Sequence, residues 1–264
     1  NEGHVNSVDT QGDVAVLLRL VPEGTKDLEA VNLYGNYKSS FKPAAPNLTE
    51  AENATILDPE RTHSVEGGLK ARALEGQLSL DVSGFQMDFN NMVVAIQDAL
   101  GNPLLVNAGR ERFKGWDVSL GVSPRRVSGL RFAGGYGWHD PRFVSFTFFT
   151  PDGTFRDVSG KLLELAPRLL WNAGAAFTPK TGAGGWVAVR HQATRALNRR
   201  NRFFDKPFSE VDAGVSWAIP RVSVNVSGRN LGDDRHYVAE SEIGDSQFYL
   251  SPPRRFTAEV TLPF

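Results

Sequence analysis

What most constrains this chain is a rhythm in its connections. Read for apolar residues at every second position, the sequence yields about eleven strand-length segments, and the links between them alternate, short then long, five times over. The short links are residues 22–27, 74–77, 124–128, 179–184 and 219–221. The long links are residues 42–62, 93–107, 140–165, 193–205 and 231–253. If each link joins antiparallel neighbours, this alternation puts every long loop at one end of the sheet and every tight turn at the other. An up-and-down barrel that crosses a membrane has this layout, whereas a sandwich needs crossovers that scatter its loops.

The segments themselves are regular. Residues 254–264 place Phe256, Ala258, Val260, Leu262 and Phe264 on one face and Arg255, Thr257, Glu259 and Thr261 on the other. Before them, residues 221–230 align Val222, Val224 and Val226, and residues 210–219 align Val211, Ala213, Val215, Trp217 and Ile219. Residues 185–192, 168–177, 129–139, 115–123, 64–74, 30–41 and 13–22 follow the same rule. Residues 76–89 begin with Leu78, Leu80 and Val82 in phase and then shift to Phe85, Met87 and Phe89, which predicts a bulge at Gly84.

Composition narrows the environment. Lys and Arg total 29 against 30 Asp and Glu, for a net charge of -1, so nothing in the charge attracts nucleic acid. There is no cysteine, which excludes disulfides and thiolate metal sites. Mean hydropathy is -0.29, and no stretch approaches the ~18 apolar residues of a membrane helix. A transmembrane β-barrel escapes that test because lipid-facing and lumen-facing residues average out. About ten alternating residues at ~3.4 Å each, tilted near 45°, span about 24 Å, which suits the apolar band of such a barrel. The opposite face carries Ser, Thr, Asn, Asp and Arg, and burying these unpaired in a dry core would cost about 1–3 kcal/mol each. Tyr37, Phe41, Tyr136 and Trp138 lie toward the long-loop ends, and Phe177, Trp217 and Phe264 toward the tight turns. Two aromatic belts bounding an apolar band place that band against lipid.

Four stretches carry a family resemblance: "GRNLGDDRHYVAESEIGDSQFYLSPPRRFTAEVTLPF" (228–264), "LYGNYKSSFKPAAPN" (33–47), "LDPERTHSVEGGLKARALEGQLSLDVSGFQMDF" (57–89) and "NAGRERFKGWDVSLGVSP" (107–124). In this order they resemble the C-terminal half-barrel of TonB-dependent outer-membrane receptors, which take up ferric siderophores and related chelates. Gly232 stands where that family commonly has an aromatic residue. The resemblance implies an all-β, antiparallel up-and-down transmembrane barrel, with residues 1–264 supplying about half of 22 strands and no plug domain. It implies energy-coupled uptake of a metal chelate across the outer membrane of a Gram-negative bacterium. The implied partners are outer-membrane lipid and lipopolysaccharide, a ferric chelate, and a TonB-type inner-membrane protein reached through the plug. No cofactor and no nucleic acid are implied. A passive porin or structural barrel is the alternative. The last strand is expected to close a barrel, with Phe256, Val260, Leu262 and Phe264 resembling the signal read by the outer-membrane assembly machinery.

Candidate ligand contacts lie in the long links. Phe146, Phe148, Phe149 and Phe155 offer an aromatic surface, although residues 143–149 read equally as a strand continuing into a turn at Pro151-Asp152-Gly153. Arg199, Arg200 and Arg202 offer positive charge to an anionic chelate or to lipopolysaccharide phosphate, and His236 and Tyr237 sit in the last long link. Lys70, Arg72, Arg131, Asp212, Arg229, Arg255 and Glu259 are expected to form a polar network on the lumen face. None of the five histidines has metal-ligand spacing, and no catalytic constellation is present. A rim hydrolase would need His139 and Asp140 together, and no such activity is expected.

Overall fold

The computed structural model describes residues 11–21, 27–43, 57–97, 103–107, 109–149, 154–241 and 247–262. Phe264, most of the first short link and the turn at residues 151–153 lie outside them. Among the described residues there is no helix, and seventeen strands follow one another. They are β1 (Gly12–Arg19), β2 (Leu28–Lys42), β3 (Glu60–Ala73), β4 (Leu78–Asn90), β5 (Val93–Gln97), β6 (Pro103–Asn107), β7 (Arg110–Val122), β8 (Leu130–Ser145) and β9 (Thr147–Phe149). The remainder are β10 (Phe155–Asp157), β11 (Leu169–Phe177), β12 (Gly182–Gln192), β13 (Phe208–Ile219), β14 (Val222–Arg229), β15 (Tyr237–Ser241), β16 (Gln247–Leu250) and β17 (Arg255–Thr261).

Eleven of these form one antiparallel sheet in the order β1-β2-β3-β4-β7-β8-β11-β12-β13-β14-β17, so every large strand lies beside its neighbour in sequence. The other six form three hairpins, β5-β6, β9-β10 and β15-β16, each inside a long link. The expected alternation is therefore present, with tight connections such as residues 74–77 and 220–221 at one end and all the hairpin-bearing links at the other. The turn at residues 74–77 is made by three successive left-handed residues, Leu74, Glu75 and Gly76. β17 pairs with β14 on one side only and does not meet β1, so the sheet is open rather than closed by this chain's last strand.

Register assigns the faces. One row crosses nine strands as Arg19, Asn32, Lys70, Asp81, Ser119, Gly135, Asn172, Arg190 and Glu210. The adjacent row, on the other face, reads Leu18, Leu33, Leu69, Val82, Val118, Tyr136 and Trp171. Arg19, Asn32, Lys70, Asp81, Ser119, Gly135 and Asn172 all border one cavity of about 730 Å³. Seven strands spaced ~4.8 Å apart can share a cavity that small only if the sheet curls toward the polar side. The polar face is thus concave and the apolar face convex.

The convex face has no cover. Val14, Leu120, Val215, Trp217, Val224 and Val260 lie on it and are exposed, Val260 by 62% and Trp217 by 56%. Leu17 is an exception, exposed on the concave side. Exposed apolar surface running across the whole sheet marks a face that meets a membrane or another protein surface. The buried apolar cluster is small and lies among the long links, where Phe143, Phe146 and Val158 pack with Met92 and Leu163.

The bulge expected at Gly84 is absent. β4 runs through it in unbroken register with both neighbours, Gly67 opposite Gly84 on one side and Trp116 on the other. Phe85, Met87 and Phe89 therefore share the concave face with Ser79, Asp81 and Ser83, while Gln86 and Asp88 point outward. The phase of the apolar pattern inverts because the surroundings change. Outside Gly84 the convex face leaves the apolar band, while inside it the bore becomes aromatic.

Candidate functional site

The candidate site is the rim made by the long links together with the bore beneath it. Its base is tied by three asparagines that use one device: the side-chain amide both accepts from and donates to the peptide groups of a single residue, as a neighbouring strand would. Asn107 Oδ1 accepts the Asp58 N–H at 2.8 Å and its Nδ2 donates to the Asp58 carbonyl at 2.9 Å. Asn201 does the same with Leu162, at 2.8 Å in both directions. Asn230 does it with Asp234, at 2.9 Å both ways, and also donates to the Pro252 carbonyl at 3.2 Å. Asn201 and Asn230 hold left-handed backbone, φ 53° and 49°, which asparagine tolerates better than most residues.

The Asn107 and Asn201 ties join neighbouring links, whereas the Asn230 tie closes the last link on itself. Residues 193–207 are held on one side to the link before them, with Leu165 N–H donating to the Ala196 carbonyl at 2.8 Å and Lys161 Nζ to the Arg200 carbonyl at 2.8 Å. On the other side Arg195 donates to the carbonyls of Tyr237 (3.3 Å) and Val238 (3.0 Å), and Asn198 donates to Glu240 at 2.7 Å. Asp205, only 2% exposed, accepts the Tyr237 N–H at 3.3 Å and faces Arg195 at 4.0 Å. Ala196, Leu197 and Asn198 are buried in this junction.

His236 lies at its centre. The ring stacks on Phe208 with centroids 3.5 Å apart, and the residue is 8% exposed. Its two nitrogens look toward Glu210 (3.9 Å) and Asp234 (3.8 Å). Burial lowers its pKa below the ordinary imidazole value, against the opposing pull of Asp205 and Asp234, so the ring is held neutral. Glu210, 5% exposed, is ion-paired with Arg190.

Beneath the rim the bore carries an aromatic cluster. Phe85 and Phe113 stack at 5.5 Å, and the His139 ring lies 5.6 Å and 5.1 Å from them. His139 Nε2 is 3.0 Å from Asp117 Oδ1. Asp140 points the other way, to Arg142 at 2.8 Å and Arg168 at 3.6 Å on the convex face. His139 and Asp140 therefore face opposite sides of the sheet, and the carboxylate beside the His139 ring is Asp117. Among the described residues no three His, Asp or Glu side chains gather as metal ligands.

The expected site residues are distributed as follows. Phe146 is 3% exposed and packed on Phe143 at 5.3 Å, so it is a packing residue with no surface for a ligand. Phe148 and Phe149 fall in β9, paired with Arg156 and Phe155, and Phe155 is 75% exposed. Arg199 lies 3.8 Å from Glu164 and is largely buried, Arg200 is half-buried, and Arg202 is exposed with its N–H on Asn198. His236 is buried as described, while Tyr237 is exposed and packs on Phe248 at 4.8 Å. On the concave face Lys70 pairs with Asp81 at 3.0 Å, Arg72 borders the same cavity, and Asp212 accepts the Asn230 N–H at 2.8 Å. Arg131 lies opposite Ala176, Glu259 opposite Asn225, and Arg229 faces Arg255, two like charges side by side. Phe256 and Val260 lie on the convex face of β17, and Leu262 is exposed just beyond it. The asparagine ties, Asp205 and the Phe85–Phe113 pair were not anticipated. Their one sequence signal is the density of Asn in "LNRRNRFF" and "GRNLGDD".

Residues 25–231 match the family described as TonB dependent receptor-like, beta-barrel. The chain belongs to this TonB-dependent receptor family. Solved TonB-dependent receptors share the fold. The ferric yersiniabactin uptake receptor from Yersinia pestis superposes with a TM-score of 0.74 at 16% identity, over 95% of this chain and 36% of that one. The siderophore receptor PiuA from Acinetobacter baumannii gives 0.74 at 16%, over 95% and 35%. The ferric preacinetobactin receptor of the same species gives 0.66 at 19%, over 95% and 36%. The chain thus spans about a third of the length of these TonB-dependent receptors.

Proposed function

We propose that this chain forms the C-terminal part of the barrel of an outer-membrane receptor that captures a ferric siderophore or a comparable metal chelate. The observation that carries the reading is the division of one sheet into an apolar convex face and a polar concave face, with every long link at the same end. In this reading the rim meets the chelate first. Tyr237, Phe155 and Arg202 are among the exposed aromatic and cationic groups it offers. Phe85, Phe113 and His139 then give the bore an apolar, π-rich wall, and the charged row from Lys70 to Glu210 gives it a hydrophilic floor. Arg229 opposite Arg255 adds positive charge on the concave face that a plug or an anionic cargo would help to neutralise. No covalent step is involved, since capture and release need only different affinities in two states of the barrel. Release inward would be driven by a TonB-type partner in the inner membrane. The names of the three solved receptors, two of them for a stated ferric siderophore, support the class of cargo.

The test is uptake of radioactive iron supplied as defined siderophores to cells with and without the gene, under iron limitation. The reading expects loss of uptake for at least one siderophore on deletion, and loss in wild-type cells when the proton-motive force is collapsed. Uptake that survives the collapse would make the protein a passive pore. No uptake difference across siderophore, haem and cobalamin substrates would overturn the receptor assignment.

A further inference from the structure

The convex face changes character sharply just above its aromatic belt, and only on one side of the sheet. Down β7 the outward residues read Arg110, Arg112 and Lys114, then Trp116, then Val118, Leu120 and Val122. β8 matches it with Arg142 and Asp140, then Trp138 and Tyr136, and Trp116 stacks on Tyr136 at 5.2 Å. Arg168 lies over the Trp138 ring at 5.7 Å. Among the described residues on and beside β7 and β8, five permanent cations thus face two outward carboxylates: Asp88, bound by Arg112 at 2.6 Å, and Asp140, shared by Arg142 and Arg168. Lys114 is exposed and makes no ion pair among the described residues. Farther along the sheet, the outward residues nearest the long-link ends of β12 and β13 are His191 and Ser209 instead.

Two concavities lie on this patch. The upper, about 230 Å³, is bordered by Arg112, Lys114 and Arg142 with the Asp140 carboxylate. The lower, about 570 Å³, lies below the belt and is almost wholly apolar. Its floor is Gly67 and Gly84, and its walls include Leu69, Val82 and Trp116. Lys114 stands one same-face step, about 7 Å, above Trp116. The cationic cleft on β7 and β8 and the apolar groove on β3 and β4 therefore meet at Trp116 of the aromatic belt, matching a molecule with a phosphate head and a hydrocarbon tail.

We propose that this face seats one phosphorylated saccharolipid of the outer leaflet, lipopolysaccharide, with a phosphate held by Arg112, Lys114 and Arg142 and an acyl chain lying over Gly67 and Gly84. The proposal rests on the reading that the convex face meets the outer membrane. Net charge selects the phosphate, and the pairing of cleft with groove selects a lipid over free phosphate.

The test titrates the detergent-solubilised protein with hexa-acylated, bis-phosphorylated lipid A, counting bound lipid by native mass spectrometry. Dephosphorylated lipid A and phosphatidylglycerol serve as comparators. The variant R112Q/K114Q/R142Q is expected to bind lipid A about tenfold more weakly or worse. R126Q/K180Q, which removes two cations at the tight-turn end, is expected to match wild type. Equal lipid A affinity for wild type and triple variant overturns the site, and so does phosphatidylglycerol binding as tightly as lipid A. If the triple variant does not fold, K114Q alone carries the same comparison, because Lys114 makes no ion pair among the described residues. Quenching of tryptophan fluorescence by brominated lipid separates the two levels. Its absence removes the membrane reading, whereas quenching with unaltered lipid A affinity removes only this site.

Discussion

Replacing Asn230 with Asp isolates the tie at the base of the last long link. The residue is 5% exposed, and aspartate keeps its size and its tolerance of left-handed backbone. The acceptor role toward the Asp234 N–H survives, and the main-chain bond to Asp212 is untouched. What disappears is the amide donor, which serves the carbonyls of Asp234 at 2.9 Å and Pro252 at 3.2 Å. The Asp234 carbonyl keeps the Ser251 hydroxyl at 3.2 Å and Pro252 is an exposed residue, so both losses belong at the lower end of the ~1–3 kcal/mol cost of an unpaired acceptor, and the link should loosen by about 1–2 kcal/mol. That corresponds to opening ~5- to ~30-fold more frequent. The reporter is hydrogen exchange of the Ser251 amide, which is bonded to the His236 carbonyl at 2.9 Å inside the tied segment. It should speed up by that factor, while the amides of Val224 and Val226 within β14 keep their protection. An unchanged Ser251 rate would mean that the asparagine amide does not hold the link and would refute the common role assigned to the three residues.

Other consequences are as direct. Arginine at Val118 should impair insertion into lipid vesicles by about 2–4 kcal/mol, while arginine at the adjacent Ser119, on the concave face, should be nearly neutral; equal effects would cancel the assignment of faces. Because burial depresses the His236 pKa, the opened rim binds a proton more readily than the closed one. Rim protection should therefore be constant above about pH 7.5 and fall as pH drops through about 6.5, and H236Q should abolish that slope; protection that rises on acidification would contradict it. A Cβ at Gly115 would run into the Trp138 carbonyl and come within 2.8 Å of the His139 ring. G115V should accordingly part β7 from β8 and reduce folding yield on semi-native gels, at a cost of at least about 1–3 kcal/mol.

The large strands were legible because lipid on one side and water on the other impose period two on every segment between them. The convex rows through Leu69, Val82 and Val118 are a physical record of that boundary. The same logic explains the error at Gly84. A change of phase was taken for a change of backbone, when the backbone was continuous and the surroundings had changed. Above the belt neither face of a strand meets hydrocarbon, so β5, β6, β15 and β16 carry no comparable imprint and went unseen. The asparagine ties were hidden for another reason. Asn107 bridges to Asp58, and Asn201 to Leu162, only because the fold brings distant links together, and nothing local in the sequence encodes which peptide will arrive. The sequence offers His236 as a ligand contact in the last long link and gives no sign of its burial, which depends on Phe208, a residue 28 positions earlier in the chain.

The amide brackets divide the mouth of the barrel into two plates rather than five independent flaps. Asn107 fuses the first two links into one, and Asn201 with Arg195 and Asn198 fuses the last three into the other. The seam between the plates is greasy, formed where Met92 leans on Phe143 and Val158. Such a mouth is expected to yield along that seam before any single finger lifts, so that a molecule arriving at one side would tilt a whole plate and the strands it crowns.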